Sequence, residues 1–227
     1  MTALPPATDA TWLDLHDWRS RVACLFRDRD SAHGRGEDRV AVLARFRAAK
    51  DALFAEHRQS PLSPDSRSKF TGLQYFEYQP HLRVQAELLV DESGDTVDAP
   101  ASGPHTMPLR RAAKVDFRLA GAHVRLTVFW IDVYGGGLFL PFRDATSPAE
   151  SYGAGRYLFD TVKGSGFEPD APSSGAAVGY AGGQIVLDFN YAYNPSCAYD
   201  ARWACPLAPP ENWLPAAIRA GERKFDG

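Results

Sequence analysis

The chain has 227 residues, of which 44% are hydrophobic and 23% charged, and its formal net charge is -3. These values are typical of a globular protein with a sizeable core and exclude a disordered chain. The slight acidic excess argues against nucleic-acid binding, and no apolar run reaches the roughly 18 residues that cross a bilayer. Residues 1–10 lack the charged and apolar regions of a signal peptide, so we expect a cytoplasmic protein without membrane or nucleic-acid partners.

A helical hairpin is predicted over residues 8–58. Apolar side chains recur at helical spacing from about 11 to 29 and again from about 42 to 58, with a polar, glycine-bearing break between the two segments. The second segment carries Phe46 on its apolar stripe. Because such a stripe has to be buried, we expect the hairpin to pack on the rest of the chain.

After Pro61 the apolar period changes from 3.6 to 2, which is typical of half-buried strands. No helical period separates the strands, so the sheet is predicted to be antiparallel and, at this size, strongly curved or barrel-like. The fold class is therefore α+β, divided into a hairpin of residues 1–60 and a β-rich part of residues 61–227. Strands are predicted over residues 72–78, 82–90, 115–119, 123–133, 138–142, 156–162 and 185–193, and loops over 97–106 and 165–182.

Side-chain alternation places three polar residues at informative positions. In strand 123–133, Asp132 is either an inward carboxylate or the cap of the following turn. In strand 185–193, Asp188 and Asn190 share one face, where they either meet solvent or line a polar lumen. Both alternatives stay open on the sequence alone.

The cysteines and glycines do not form a recognised metal, redox or phosphate motif. Cys197 and Cys205 lie eight positions apart, which fits neither a zinc knuckle nor a CxxC pair. Cys24 lies far from them, and the histidines are scattered, so we predict no metal and no cofactor. The glycines at 135–137 are followed by neither a Lys-Ser/Thr pair nor a helix, which argues against phosphate binding.

The C-terminal part carries the most distinctive sequence. The runs YGGGLFLPFRDATS, YGAGRYLFDTVKG and DFNYAYNPSCAYDARWACPLAPPENWLPAAIRAGER resemble the uncharacterised bacterial family called domain of unknown function 1684. Weaker similarity extends to HRQSPL and FTGLQYFEYQP, so the resemblance covers nearly the whole chain. It implies kinship but no reaction.

A small-molecule pocket at one end of the sheet is our functional hypothesis, either in a metal-independent enzyme or in a non-catalytic, lipocalin-like binder. A third alternative is that the motif residues only pack the fold. Arginines can orient an anionic or carbonyl-bearing ligand or pair with acidic neighbours, and a carboxylate with a tyrosine can move a proton. The predicted catalytic residues are Asp188, as general base, and Tyr152; the predicted ligand-binding residues are Arg143, Asp144, Arg156, Asn190, Tyr193, Asn194 and Glu211.

Overall fold

The N-terminal part of the computed structural model is the predicted hairpin. Helix α1 spans Trp12–Gly34, α2 spans Arg39–Glu56, and a short helix α3 follows at Pro64–Ser68. No helix in the described part of the chain is long and apolar enough to cross a membrane. The structure describes residues 11–119, 121–166, 168–169 and 183–226.

Side-chain caps determine where the two long helices begin. Thr11 accepts the backbone N–H of Asp14, and the Asp14 carboxylate accepts the Thr11 N–H at 2.6 Å, so α1 starts with a capping box. At the start of α2, Asp38 accepts the N–H of Ala41 at 2.8 Å. Caps of this kind contribute about 1 kcal/mol each, and they define the hairpin at both helix starts.

The β-rich part forms a curled antiparallel sheet. Its strands are β1 (Arg83–Val90), β2 (Thr96–Pro100), β3 (Thr106–Leu119), β4 (Ala122–Ile131), β5 (Gly137–Phe142), β6 (Arg156–Asp160), β7 (Glu168–Pro169) and β8 (Gly183–Asp188). They pair in the order β6-β5-β4-β3-β1-β8-β7, and β2 pairs with the beginning of β3. Beyond β8, Tyr193 exchanges backbone hydrogen bonds of 2.8 and 3.0 Å with Tyr157 of β6, so the chain leaving β8 reaches the opposite edge. The result is a half-barrel, which confirms the predicted α+β fold.

Both faces of the sheet are covered near the end of β4. Val128 belongs to a large apolar cluster that also contains Phe142 and Phe189. Its neighbour Phe129 belongs to a second cluster, together with Phe139. Because successive strand residues point to opposite faces, the end of β4 is buried on two sides.

The hairpin packs on the segment that follows β8. Phe46 is only 8% exposed, and its ring contacts Tyr191 at a centroid distance of 5.0 Å and Phe26 at 5.1 Å. Farther along α2, Phe54 contacts the ring of Tyr199, also at 5.0 Å. The predicted apolar stripe is therefore buried against the β-rich part, which confirms that prediction.

The prediction of a strand over residues 185–193 is wrong beyond Asp188. The Asp188 carboxylate accepts the N–H of Asn190 at 3.0 Å and starts a 3-10 turn over Phe189–Tyr191. A hydrogen bond from a side chain to the backbone two residues ahead competes with strand pairing. The strand alternation that we assumed for Asn190 therefore does not apply.

Two further local predictions are wrong, and the structure decides between the two alternatives for Asp132. The predicted strand 72–78 is absent from the described structure, where an isolated bridge joins Tyr75 to Glu222. The predicted loop 97–106 contains most of β2 instead. β4 ends before Asp132, which forms a surface ion pair of 2.8 Å with Arg110, so the inward alternative is wrong. Within the predicted loop 165–182, residue 167 and residues 170–182 lie outside the described residues.

Candidate functional site

The backbone that leaves β8 is held between the sheet and the C-terminal segment. Tyr193 pairs with Tyr157 of β6, and the Ala192 carbonyl accepts the N–H of Glu222 at 2.9 Å. The N–H of Asn194 then donates to the Glu222 carboxylate at 2.7 Å. These bonds fix residues 192–194 opposite the inner face of the helical hairpin.

A cavity of about 60 Å³ lies between this backbone and helices α1 and α2. We call it the hairpin cleft. Its walls are mostly aromatic and aliphatic, with a few polar groups, which is the usual composition of a small-molecule site. The lining includes Trp18, Val22, Phe46, Lys50, Phe54, Lys163, Tyr193, Asn194, Ser196 and Tyr199.

Asn194 is a residue of the cleft wall, and its side chain carries an unpaired acceptor. The residue is 4% exposed, and its Nδ2 donates to the carbonyl of Arg223 at 2.8 Å. Its Oδ1 atom is buried and has no hydrogen-bond partner among the described residues. Leaving a buried acceptor unpaired costs about 1–3 kcal/mol, so this oxygen favours a donor from outside the chain.

Lys50 closes the α2 side of the cleft through a buried ion pair. Its Nζ donates to the Glu222 carboxylate at 2.5 Å and lies 4.8 Å from the centre of the Tyr193 ring. Glu222 is 1% exposed and also accepts the Tyr199 hydroxyl at 2.5 Å. Through these contacts Glu222 holds the C-terminal segment in place, and the Lys50 amine is already paired with the Glu222 carboxylate.

Lys163 and Tyr193 occupy the sheet side of the cleft. The Lys163 amine lies 3.6 Å from the Asp160 carboxylate, and although burial opposes its charge, Cys205 and Asp160 together raise its pKa. Burial, with the nearby charge of Asp160, raises the pKa of Tyr193 well above its usual value. The Tyr193 hydroxyl therefore stays protonated at neutral pH, where it contacts the Ser165 hydroxyl at 2.6 Å.

Two wider grooves on the surface lack such an acceptor. One, of about 650 Å³, runs between residues 65–74 and 223–226, and the other, of about 640 Å³, lies over the outer side of α1 and α2. Among the described residues, none that line them carries a buried polar atom without a partner. The hairpin cleft is therefore the candidate site, although it is much smaller.

Asp144 and Arg156 lie together in a separate, fully buried cluster. Arg156 is 0% exposed and donates to the Asp144 carboxylate at 3.3 Å and to the backbone carbonyls of Ile218, Ala220 and Glu222. Asp144 also accepts the N–H of Ile218. The pair thus ties β6 and the loop after β5 to the C-terminal segment.

Asp188 and Asn190 stabilise the turn after β8 and connect it to the segment that leads into β1. Asn190 accepts the N–H of Gln79 at 2.8 Å and donates to the Gln79 carbonyl at 2.9 Å. Asp188 accepts the side-chain amide of Asn190 at 2.8 Å and lies 4.0 Å from the Arg83 guanidinium. These hydrogen bonds hold the backbone turn in place, and none of them involves Arg156 or the groups that Arg156 contacts.

The three other predicted site residues lie apart from these clusters. The Tyr152 hydroxyl is 3.7 Å from the Cys197 sulphur. Burial raises the pKa of Tyr152, and the contact with Cys197 raises it further. The Arg143 guanidinium lies 4.7 Å over the ring of Trp213. Glu211 pairs with Arg111 at 2.8 Å on the sheet surface.

Of the nine predicted site residues, the cleft brings together Tyr193 and Asn194. Sequence reasoning did not identify Lys50 or Lys163, which neither alternation nor a motif distinguishes from surface lysines. Within the described residues, no group of three histidine, cysteine or acidic side chains is placed to hold a metal ion.

Comparison with known proteins identifies relatives but no activity. A family model described as "Protein of unknown function (DUF1684)" matches residues 68–223. The solution NMR structure of an uncharacterised protein of Haloarcula marismortui is 39% identical, with a TM-score of 0.57. The match covers 81% of this chain and 92% of that one. No functionally curated protein matches the sequence.

Proposed function

The chain belongs to the DUF1684 family, whose description names no activity, and from its own contacts we propose that it binds a small molecule in the hairpin cleft. The observation that carries this proposal is the buried, unpaired Oδ1 of Asn194, which is a residue of the cleft wall. A ligand that donates a hydrogen bond there removes the cost of the unpaired oxygen, which is about 1–3 kcal/mol.

The chemistry of the walls defines the ligand class. Phe46 and Phe54 offer an aromatic surface suited to a planar apolar body, with Tyr199 beside them. Asn194 requires an N–H or O–H donor, and the Lys163 amine can donate to a nearby acceptor. The cleft holds about 60 Å³, which is less than the roughly 150 Å³ of a cavity that encloses a benzene ring, so a ligand of one ring with one polar substituent enters it only in part. A primary carboxamide on a single aromatic ring has this pattern.

Two further expectations belong to the same proposal. The partner is a small molecule rather than nucleic acid, which the net charge of -3 supports. The compartment is the cytoplasm, and the three free cysteines fit the reducing conditions found there.

Benzamide and acetophenone test the proposal as a matched pair. The two molecules have nearly the same size and both carry a carbonyl, but acetophenone has a methyl group where benzamide has the amide nitrogen. Benzamide should bind with a dissociation constant on the order of 1 mM in a ligand-observed NMR titration, as a fragment of this size allows. Acetophenone should bind about tenfold more weakly, because the Asn194 acceptor stays unpaired.

A pair of valine substitutions tests the location. Val22→Trp places an indole in the cleft and should abolish benzamide binding. Val40→Trp makes the same change at a position that is 53% exposed on α2, and binding should persist. The proposal fails if benzamide does not bind, if acetophenone binds equally well, or if the two variants behave alike.

A further inference from the structure

Among the described residues, two basic side chains and no acidic one line the hairpin cleft. The basic residues are Lys50 and Lys163. The carboxylates that pair with them belong to Glu222 and Asp160, which lie outside the lining and are 1% and 2% exposed. A ligand in the cleft therefore meets charge of one sign at the wall, which favours a ligand that carries negative charge.

The two lysines differ in how closely they are paired. The Lys50 amine donates a hydrogen bond to the Glu222 carboxylate at 2.5 Å. The Lys163 amine lies 3.6 Å from the Asp160 carboxylate, beyond the roughly 2.7–3.2 Å of an N–H···O hydrogen bond, and 5.7 Å from the centre of the Tyr157 ring. Since an ammonium has three donors, Lys163 keeps hydrogen-bond donors for a ligand.

The turn that carries Lys163 is fixed against helix α1. Lys163 ends a 3-10 turn, Thr161–Lys163, that follows β6. The next residue, Gly164, has a φ of +89°, and a Cβ there would come within 2.9 Å of the carbonyl oxygen of Arg19 in α1. Glycine allows both this conformation and this close approach. The packing of the turn holds the backbone of Lys163 in place before a ligand binds, which reduces the entropy lost on binding.

Solvent exposure separates Lys163 from the other polar residue of the site. Asn194 is 4% exposed, whereas the side chain of Lys163 is 37% exposed. Because the cleft of about 60 Å³ takes in only part of an aromatic ring, the rest of the ring stays outside. An occupant of the cleft then has its inner end towards Asn194 and its outer end next to Lys163.

We propose that the ligand of the cleft is an aromatic carboxylate whose outer carboxyl group binds the Lys163 ammonium, an inference that rests on the proposed function. A carboxylate accepts a charge-assisted hydrogen bond from an ammonium, which is about twice as strong as a neutral one. The Asp160 carboxylate offsets part of the Lys163 charge, so the site favours a group with one negative charge over a phosphate, which carries nearly two. Lys163 thus determines specificity, while Asn194 binds the inner end.

A pair of ligands tests the inference on the unmodified protein. The monoanion 4-carbamoylbenzoate has the ring and the amide of benzamide and adds a carboxylate at the opposite end. In the ligand-observed NMR titration it should bind about tenfold more tightly than benzamide, because it gains a charge-assisted hydrogen bond. Raising the salt concentration to about 1 M should reduce this advantage and leave benzamide binding nearly unchanged, because salt screens the interaction between charges.

Three lysine substitutions locate the effect through the ratio of the benzamide dissociation constant to that of 4-carbamoylbenzoate. Lys163→Met removes the charge at similar length, and the ratio should fall from about ten to about one. Lys163→Arg keeps the charge and should keep the advantage of the carboxylate. Lys69→Met, at an exposed position in the groove near residues 65–74, should leave the ratio unchanged.

The outcomes separate this inference from the proposed function. The inference is overturned if benzamide binds but 4-carbamoylbenzoate binds no more tightly, or if the advantage of the carboxylate survives in Lys163→Met. If neither ligand binds, the proposed function fails and the inference fails with it.

Discussion

Replacing Arg156 with methionine should destabilise the protein strongly, because this arginine holds the C-terminal segment. Its Nη1 donates to the carbonyls of Ala220 and Glu222, and its Nη2 donates to Ile218 at 2.8 Å and to Asp144 at 3.3 Å. Methionine has a similar length but no donor. The substitution leaves three buried carbonyls and one buried carboxylate without that partner.

The size of the effect follows from burial of the ion pair. Both side chains are at most 1% exposed, so solvent cannot replace the lost contacts. Removing one member of such a pair costs about 3–5 kcal/mol. For a chain of this length, with about 2–4 °C of melting temperature per kcal/mol, we expect Arg156→Met to lower the melting temperature by about 6–20 °C.

Urea denaturation followed by circular dichroism measures this loss, and hydrogen exchange locates it. The control is Arg125→Met, since Arg125 also forms an ion pair, a bidentate one with Asp116, but is 53% exposed. The urea midpoint of Arg125→Met should stay nearly unchanged. In Arg156→Met, exchange should rise first in residues 214–224. A loss below about 1 kcal/mol, or equal losses in the two variants, would refute the assignment of Arg156 as a structural anchor.

Three further outcomes are expected. Phe46→Ala should cost about 3–5 kcal/mol in urea denaturation, because the ring is buried between the helices and the β-rich part; a change under 1 kcal/mol would contradict that packing. Gly221→Ala should lower the melting temperature far more than Gly94→Ala, since both have positive φ but a Cβ at 221 collides with a backbone carbonyl. Hydrogen bonds from Ser93 lower the pKa of Asp91 to about 2. Because the unfolded value is about 3.9, this stabilisation is complete above about pH 4 and is lost as the pH falls towards 2. Asp91→Asn should therefore lower the urea midpoint at pH 6 but not at pH 2.

The fold class was predictable because it depends on hydrophobic periodicity. The change of period after Pro61 separates the helical from the β-rich part, and the stripe containing Phe46 requires a partner surface. Local boundaries failed where a side chain competes with the backbone, as at Asp188. The strand ending at Pro100 was missed because proline and aspartate are depleted in strands.

The cleft was only partly predictable, because contacts between distant residues build it. Tyr193 and Asn194 were predictable as site residues because their segment has an unusual composition. Their position depends on pairing with Tyr157 and on the ion pair of Lys50 with Glu222, which are 172 positions apart. Alternation reports which residues share a face of one element, and it carries no information about such pairings.

Binding next to Asn194 is the central claim, and two-dimensional ¹H–¹⁵N NMR tests it most directly. During a benzamide titration, the side-chain amide of Asn194 and the backbone amides of Val22 and Ser196 should shift together and saturate. The same signals should shift much less when acetophenone is added at equal concentration, because it binds about tenfold more weakly. Absence of any benzamide shift at these residues, or shifts confined to the groove near residues 65–74, would contradict the account.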